Sequence, residues 1–339
     1  MLIAATPEPP VRAILAKLRC PKCRGPVGDG PLPAIAGGLR ELRCARADHR
    51  FRVVNGVPIL LDDNWFDPST INPDPMINPQ DHLNWKKMQI QYHHDENVDE
   101  DTREYELRRP YGENRLFETM GTYDLELARK FYPGTLRGKS VLTLCCGRGM
   151  DAEFFWRAGA TVAGTDIVPS CLEIAQERLT RAGGSIDTFC CDAEDVPLRD
   201  GSFDVCEVHD GLHHLPRPFE AIEEMARIAR EGLIIIEPNR SPIVRVFQRL
   251  GLSTEVEASG NHKTYFDARD LERRLRGLGF DHVRIGFSFY KKTHHPPKIY
   301  DLLSHEPLHT LIKAGLGVTR TVLGRWSNHL IAVAYRGRP

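Results

Sequence analysis

Residues 141–166 read VLTLCCGRGMDAEFFWRAGATVAGTD, and this stretch decides the fold. It predicts a buried strand, a glycine-bearing turn, a helix, a second strand and an acidic residue at that strand's end, which together make a βαβ unit. Gly147 and Gly149 remove side chains where the backbone must approach a ligand, and Asp166 can accept hydrogen bonds from ribose hydroxyls. The stretch therefore predicts a nucleotide-type site. The alternative is a turn whose glycines only tighten packing.

Three motifs within residues 137–239 resemble those of class I S-adenosylmethionine (SAM) dependent methyltransferases. VLTLCCGRG is similar to the first motif of that family, usually VLDxGCGxG. Asp192 and Ala193 follow a third predicted strand, where the family has an Asp that accepts from the adenine amino group. Residues 200–216, DGSFDVCEVHDGLHHLP, are close to the family's DGSFDxVxxxxxLHHLPxP run. The combination favours methyl transfer over the dehydrogenases that share the βαβ unit.

The resemblance also implies which residues contact SAM. Two positions depart from the family pattern: Thr143 stands where an acidic residue is usual, and Cys145 stands where Gly is usual. A Thr hydroxyl can still hydrogen-bond and Cys is small, so we interpret both as tolerated variation. The predicted cofactor contacts are Thr143, Cys145, Gly147, Gly149, Asp166, Ile167, Asp192, Ala193, His209 and, from a predicted helical lid, Tyr111.

The chain divides into three predicted parts. Residues 1–62 form a small β-rich zinc ribbon, residues 63–136 a linker and helical lid, and residues 137–339 the SAM-binding domain. For the last part the resemblance implies an α/β, Rossmann-like fold with a mostly parallel seven-stranded sheet that ends in an antiparallel pair. Residues 291–326, between that pair, are too long for a hairpin and predict a helical insertion near the acceptor pocket.

The N-terminal part carries a pattern typical of a zinc site. A Cys-x-x-Cys turn allows two thiolates to bind one tetrahedral ion, and a second turn supplies the other two ligands. In the second turn position 47 is Ala rather than Cys, which leaves His49 as the predicted fourth ligand and Asp48 as its reserve. The predicted ligands of a structural Zn²⁺ are Cys20, Cys23, Cys44 and His49. The alternative is a metal-free ribbon held by packing.

Residues 51–61, FRVVNGVPILL, resemble the tail of zinc ribbons in activators of tRNA methyltransferases, and similar ribbons begin some rRNA guanine methyltransferases. A module of about 60 residues has little core and gains folding energy from a metal. Basic residues outnumber acidic ones between positions 11 and 56, so the ribbon could touch RNA phosphates. A solvated face, offset by the acidic linker beside it, is the alternative.

Composition limits the class of protein. The 339 residues are 41% hydrophobic and carry a net charge of −1, as in a soluble globular protein. No apolar run approaches the ~18 residues of a membrane span, and the N-terminal residues do not read as a signal peptide. Nine cysteines, an odd number, favour a reducing compartment over a disulfide framework. We therefore expect a cytoplasmic protein without a membrane partner.

His209 and Asp210 end the fourth predicted strand, where methyl donor and acceptor meet in this family. A base matters if the acceptor must lose a proton, so His209 is the first candidate for base or acceptor contact and Asp210 the second. Each could instead be a hydrogen-bonded bystander. His213 and His214 form a pair that is usual in the family, so we interpret them as residues that support the structure or lie on the cofactor side of the site. Further residues that could reach the pocket are Glu237, His262 and Tyr265.

The predicted function is transfer of a methyl group from SAM to a small molecule, such as a specialised metabolite. A lid and an insertion favour an enclosed pocket, and the near-neutral charge provides no broad nucleic-acid surface. The alternatives are an rRNA or tRNA base methyltransferase guided by the ribbon, and a non-catalytic SAM-binding protein. The motifs leave open the oligomeric state and whether oxygen, nitrogen or carbon is methylated.

Overall fold

The computed structural model describes most of the chain. The described residues are 14–29, 41–72, 81–251, 256–257, 259, 263–289 and 295–337. His262 and residues 291–294 of the predicted insertion lie outside them.

The N-terminal part forms a four-stranded antiparallel sheet. Its strands are β1 (Val27–Asp29), β2 (Glu41–Cys44), β3 (Arg50–Val54) and β4 (Val57–Pro58), in spatial order β1-β2-β3-β4. Leu42 and Cys44 of β2 are buried while Glu41 and Arg43 are partly exposed. This alternation is typical of a strand in a sheet that is covered on one face.

The rest of the chain is organised on a seven-stranded sheet, which confirms the predicted fold class. Its strands are β5 (Ser140–Leu144), β6 (Thr161–Asp166), β7 (Asp187–Cys190), β8 (Phe203–His209), β9 (Ala229–Pro238), β10 (His282–Ser288) and β11 (His329–Tyr335). The spatial order is β10-β11-β9-β8-β5-β6-β7, with β5 to β9 parallel and β11 antiparallel to both of its neighbours. The predicted antiparallel pair is therefore present at one edge.

Helices cover both faces of this sheet, as a parallel sheet requires. In chain order they are α1 (His82–Val98), α2 (Glu100–Arg108), α3 (Arg115–Phe131), α4 (Met150–Arg157), α5 (Pro169–Arg181), α6 (Pro218–Ile228), α7 (Pro242–Arg249), α8 (Ala268–Gly277), α9 (Ile299–Leu303) and α10 (Leu308–Leu323). The last two lie between β10 and β11, within the predicted insertion. None of the described helices has the length and apolarity needed to cross a lipid bilayer.

The central strands divide the core in two, because successive side chains point to opposite faces. Leu233 and Ile235 of β9 join a cluster with α6, α8 and the N-terminal sheet, whereas Ile234 and Ile236 join a cluster with α3 and α4. All four are fully buried. The near-continuous apolar run of β9 thus follows from burial on both faces.

The N-terminal sheet packs directly on the larger sheet. Leu60 donates its backbone N–H to the carbonyl of Cys190 on edge strand β7 at 2.8 Å, and Arg19 donates to the carbonyl of Pro197 at 2.7 Å. Arg24 forms an ion pair with Asp195. These contacts cover the open edge of β7, so the two sheets share one hydrophobic cluster.

Candidate active site and metal cluster

The predicted ligand-binding residues lie at the carboxyl ends of four neighbouring parallel strands. The glycine turn follows β5, Asp166 ends β6, and His209 ends β8. Asp192 lies just beyond the end of β7. Since carboxyl ends of parallel strands share one edge of a sheet, residues distant in sequence become neighbours there.

The glycine turn depends on left-handed backbone conformations. Gly147 and Gly149 have φ angles of 50° and 80°, values that favour glycine. A Cβ at Gly149 would lie 2.7 Å from the Cβ of Ala175 on α5, so glycine permits close packing of α4 against α5. A Cβ at Gly147 would meet nothing within 4 Å. One glycine therefore tightens packing, as the alternative interpretation expected, while the other borders open space that a ligand can occupy.

Asp166 anchors this turn. Its carboxylate accepts the backbone N–H of Gly147 and that of Val168, each at 2.9 Å. Burial raises the pKa of Asp166, and the backbone N–H groups oppose that rise. The carboxylate is thus held beside the open space at Gly147, where the hydroxyls of a ribose can donate to it.

Helix α1 lies across the same edge. Lys86 donates to Asp192 at 2.7 Å and to Glu194 at 2.5 Å. At the other end of α1, Asn97 accepts from the guanidinium of Arg148, the residue between the two turn glycines, at 2.7 Å. The helix therefore spans the edge from Asp192 to the glycine turn, and it is positioned to exclude water from a ligand between them.

Two of the predicted cofactor contacts face the protein instead of the open edge. Thr143 is fully buried and its hydroxyl donates to the carbonyl of Ala163 on β6 at 3.3 Å. Cys145 has a φ of 48°, which explains why glycine is usual at this position. A Cβ added at Gly211 would lie 2.5 Å from the Cβ of Cys145, so Cys145 packs against the loop after β8.

The ring of Tyr111 packs at the C-terminal end of α4. Its ring lies under the guanidinium of Arg157 at 4.3 Å, at the last residue of α4, whereas the turn precedes the first. The eight residues of α4 span about 12 Å. Tyr111 borders a separate cavity of about 480 Å³, and burial raises the pKa of its hydroxyl. Ile167 and Ala193, in contrast, adjoin Asp166 and Asp192 on the ligand-binding edge.

His209 lies buried among carboxylates. Its Nδ1 is 3.3 Å from Asp151 in the first turn of α4, and its Nε2 is 3.8 Å from Asp210. Glu207 completes a group whose possible ligand atoms lie within 4.8 Å of those of Asp151 and His209. Asp210 has a φ of 53°, an uncommon conformation for a residue with a side chain. A histidine with a carboxylate at one nitrogen is oriented to exchange a proton at the other.

A second histidine–carboxylate pair supports the loop after β8. Glu237 is fully buried, accepts the backbone N–H groups of Gly211 and Leu212, and lies 2.8 Å from Nδ1 of His213. Nε2 of His213 lies 3.5 Å from Glu257. Burial alone would lower the pKa of His213, but the two carboxylates raise it to about 9. This agrees with the structural interpretation of His213.

A cleft of about 280 Å³ opens beside this pair. It is lined by Arg240, Ser241, Val244, Arg245, Gln248, Lys263 and Tyr265. Lys263 forms an ion pair with Glu257 at 2.9 Å, and Thr264 donates its backbone N–H to the carbonyl of His213 at 3.4 Å. The cleft therefore adjoins the carboxyl ends of β8 and β9.

The four predicted metal ligands come together. Sγ of Cys20 lies 3.2 Å from Nδ1 of His49, Sγ of Cys23 lies 3.3 Å from Sγ of Cys44, and all four ligand atoms lie within 4.8 Å of one another. Ligand atoms at these distances from one another suit a tetrahedral zinc ion bound by thiolates and imidazole. The reserve ligand, Asp48, is 82% exposed and pairs with Arg50 instead.

Motif-based reasoning missed several residues of this site. Lys86 and Glu257 lie in segments without a motif and reach the site only through tertiary packing. Asp151 carried a usable signal, because it lies in the first turn of the helix after the glycine turn and so faces the strand ends. Glu207 is two residues before His209 on the same strand, and that spacing places both on one face.

Comparisons with known proteins agree with this architecture. Residues 142–236 match a family described as a methyltransferase domain. The ubiquinone biosynthesis O-methyltransferase of Thiobacillus denitrificans is 37% identical over 98 residues, 29% of this chain and 42% of that protein. The demethylmenaquinone methyltransferase of Paenarthrobacter aurescens is 31% identical over 114 residues, 33% of this chain and 44% of that protein. The chain thus matches less than half the length of either relative.

A longer but weaker similarity involves the ubiquinone biosynthesis O-methyltransferase of Aromatoleum aromaticum, 26% identical over 192 residues, 54% of this chain and 80% of that protein. Among solved structures, magnesium protoporphyrin IX methyltransferase from Synechocystis PCC 6803 with bound SAH is 18% identical, with a TM-score of 0.46; the match covers 73% of this chain and 99% of that one.

Proposed function

We propose that this chain, which carries a methyltransferase domain at residues 142–236, transfers a methyl group from SAM to a small-molecule acceptor. One observation carries the proposal. Asp166 and the open space at Gly147 lie on the same sheet edge as the buried His209, with only β5 between the strands that end in Asp166 and His209. A nucleoside-binding cradle thus adjoins a proton-accepting group.

The residues fit SAM on the donor side. Asp166 accepts from ribose hydroxyls, Gly147 and Gly149 let the backbone approach the ligand, and Ile167 and Ala193 border the adenine. Asp192 can accept from the adenine amino group with a lone pair that Lys86 does not occupy. When bound, SAM supplies an electrophilic methyl group on a sulfonium.

On the acceptor side, His209 is the proposed base. Asp151 lies at Nδ1, and Nε2 is the nitrogen that we propose to take the proton of an acceptor hydroxyl, amine or acidic carbon. Asp210 lies beyond Nε2 and stabilises the imidazolium that forms. Positioning the acceptor in line with the sulfonium contributes the larger part of the rate, and α1 keeps water out of the site.

The zinc site is proposed to be structural. Four protein ligands close a tetrahedral shell, so no position is left for substrate or water. The ion would hold together the turns at Cys20 and Cys44 in a sheet whose contacts cover the edge of β7. None of the nine cysteines forms a disulfide, so the thiols of Cys20, Cys23 and Cys44 are available as ligands.

The charges of the ribbon favour a small acceptor over RNA. Several of its basic residues already pair with carboxylates, which reduces the positive potential available to phosphates. These pairs are Lys22 with Asp62, Arg24 with Asp195, Arg43 with Glu41, Arg50 with Asp48, and Arg52 with Asp63.

The test is mass spectrometry of metabolite extracts incubated with the protein and methyl-labelled SAM. We expect the label in a low-molecular-mass product, with none formed by a His209→Gln variant. Label in the RNA fraction alone would support the RNA alternative and overturn the small-molecule proposal. SAM binding without label in either fraction would support a non-catalytic SAM-binding protein.

A further inference from the structure

The cleft at the carboxyl ends of β8 and β9 has an excess of positive charge. Three of its lining side chains are cations, Arg240, Arg245 and Lys263, and none of its described lining residues is acidic. Ser241, Gln248 and Tyr265 add neutral polar groups. The charged groups among the described lining residues are therefore all hydrogen-bond donors.

The nearest described carboxylate does not neutralise this charge. Glu257 is shared by Lys263 at 2.9 Å, His214 at 3.0 Å and His213 at 3.5 Å. Glu237 lies 2.8 Å from His213, and Glu257 offsets the charge of Lys263. Within the part of the chain that the structure describes, neither Arg240 nor Arg245 forms an ion pair with a carboxylate, so an excess of positive charge remains at the cleft.

The two arginines are carried by anchored backbone. Arg240 donates its backbone N–H to the carbonyl of Phe266 at 2.9 Å, and Arg245 donates to the carbonyl of Ser241 at 3.2 Å. Ser241 is fully buried and its hydroxyl caps α7 by accepting from Val244. A fixed backbone lowers the entropic cost of aligning both guanidiniums on one ligand.

The chain between the two strands' carboxyl ends and the cleft is short. His209 pairs in register with Ile236 on the adjacent strand β9, and Arg240 follows Ile236 by four residues. Four extended residues span at most about 14 Å, the length of a small organic molecule. One acceptor can thus place its reacting atom at His209 and another group between the arginines.

From these observations we infer that the acceptor carries an anionic group, a carboxylate or a phosphate, which Arg240, Arg245 and Lys263 bind in this cleft. The inference rests on the proposed methyl transfer and adds the substrate class. Planar guanidiniums bind carboxylate and phosphate in a bidentate manner, and such charge-assisted hydrogen bonds are the stronger kind. Uncompensated cations at the cleft also attract anions from solution.

The experiment begins with the labelled product of the extract assay. We expect it to bind an anion exchanger at neutral pH. With that acceptor purified, Arg245→Gln and Arg240→Gln each raise KM about ten-fold with kcat changed less than three-fold. The matched control is Arg249→Gln, on the same helix and exposed but outside the cleft, which leaves KM unchanged.

Further outcomes separate the possibilities. A labelled product that passes the anion exchanger as a neutral or cationic compound overturns the inference and leaves methyl transfer intact, whereas a complete lack of labelled product overturns the proposed function itself. An unchanged KM in both arginine variants also contradicts the inference. Removing phosphate from the product with a phosphatase distinguishes a phosphate from a carboxylate acceptor.

Discussion

The proposed donor and acceptor halves of the site are built in different ways. The donor half comes from β5 to β7 and the turns that follow them, within residues 140–193, and its main contacts are backbone groups and one carboxylate. The acceptor half takes His209, Glu237 and the cleft from β8, β9 and α7, together with Glu257 from a segment without a motif. The proposed donor contacts thus depend on local backbone geometry, whereas the proposed acceptor contacts are side chains brought together by tertiary packing.

The largest expected effect concerns the acceptor half. His209→Gln removes the proposed base while filling a similar volume, so turnover falls by about 10²–10⁴-fold. The affinity for SAM changes by less than a few-fold, because the donor contacts stay in place. Turnover with labelled SAM and calorimetric titration measure the two quantities, and His305→Gln, at an exposed position, is the control. Loss of SAM binding in His209→Gln would assign His209 to the donor half.

The converse change concerns the donor half. Asp166→Ala removes the carboxylate that accepts from Gly147 and Val168, so the Kd for SAM rises about 10- to 100-fold. Isothermal titration calorimetry measures this Kd. Asp187→Ala, at the opposite end of β7, keeps the affinity of the unaltered protein. Equal affinities in both variants would show that Asp166 does not contact the donor.

Removal of zinc tests how far the donor half depends on the ribbon. Cys23→Ser breaks the four-ligand cluster, which loosens the sheet that bonds to Cys190 near Asp192. We expect loss of one zinc ion per chain by elemental analysis, a Tm lower by several degrees, and SAM affinity reduced a few-fold. Cys206→Ser, in the sheet and outside the cluster, retains the zinc. Zinc-free wild-type protein with the same Tm would favour the metal-free ribbon.

The smallest expected effect is a pH dependence in the acceptor half. Glu237 and Glu257 outweigh burial and raise the pKa of His213 to about 9, above the ordinary ~6.5. Because the folded pKa exceeds the unfolded one, the stabilisation is complete below about pH 6.5 and is lost as the pH rises through about 9. Tm should therefore fall by a few degrees across this window, and His213→Gln should flatten the profile. His214→Gln is the control and should leave the fall of Tm with pH unchanged. A pH profile of Tm that His213→Gln does not change would contradict this role of His213.

The two halves also differ in what the sequence can predict. The glycine turn, Asp166 and the metal ligands are recognisable because local spacing determines their geometry, and the sheet follows from the apolar strands and their order. The placement of Tyr111 beside the cofactor stays a prediction, and the packing of its ring against Arg157 is a long-range contact that no local pattern predicts. Lys86 and Glu257 reach the site through long-range contacts that carry no local pattern.

Binding of SAM tests the central claim most directly. Isothermal titration of the full chain should give a saturable isotherm with one SAM per chain, weakened by Asp166→Ala and unchanged by Asp187→Ala. A wild-type protein that is folded, as judged by its thermal transition, and shows no binding of SAM would contradict the account.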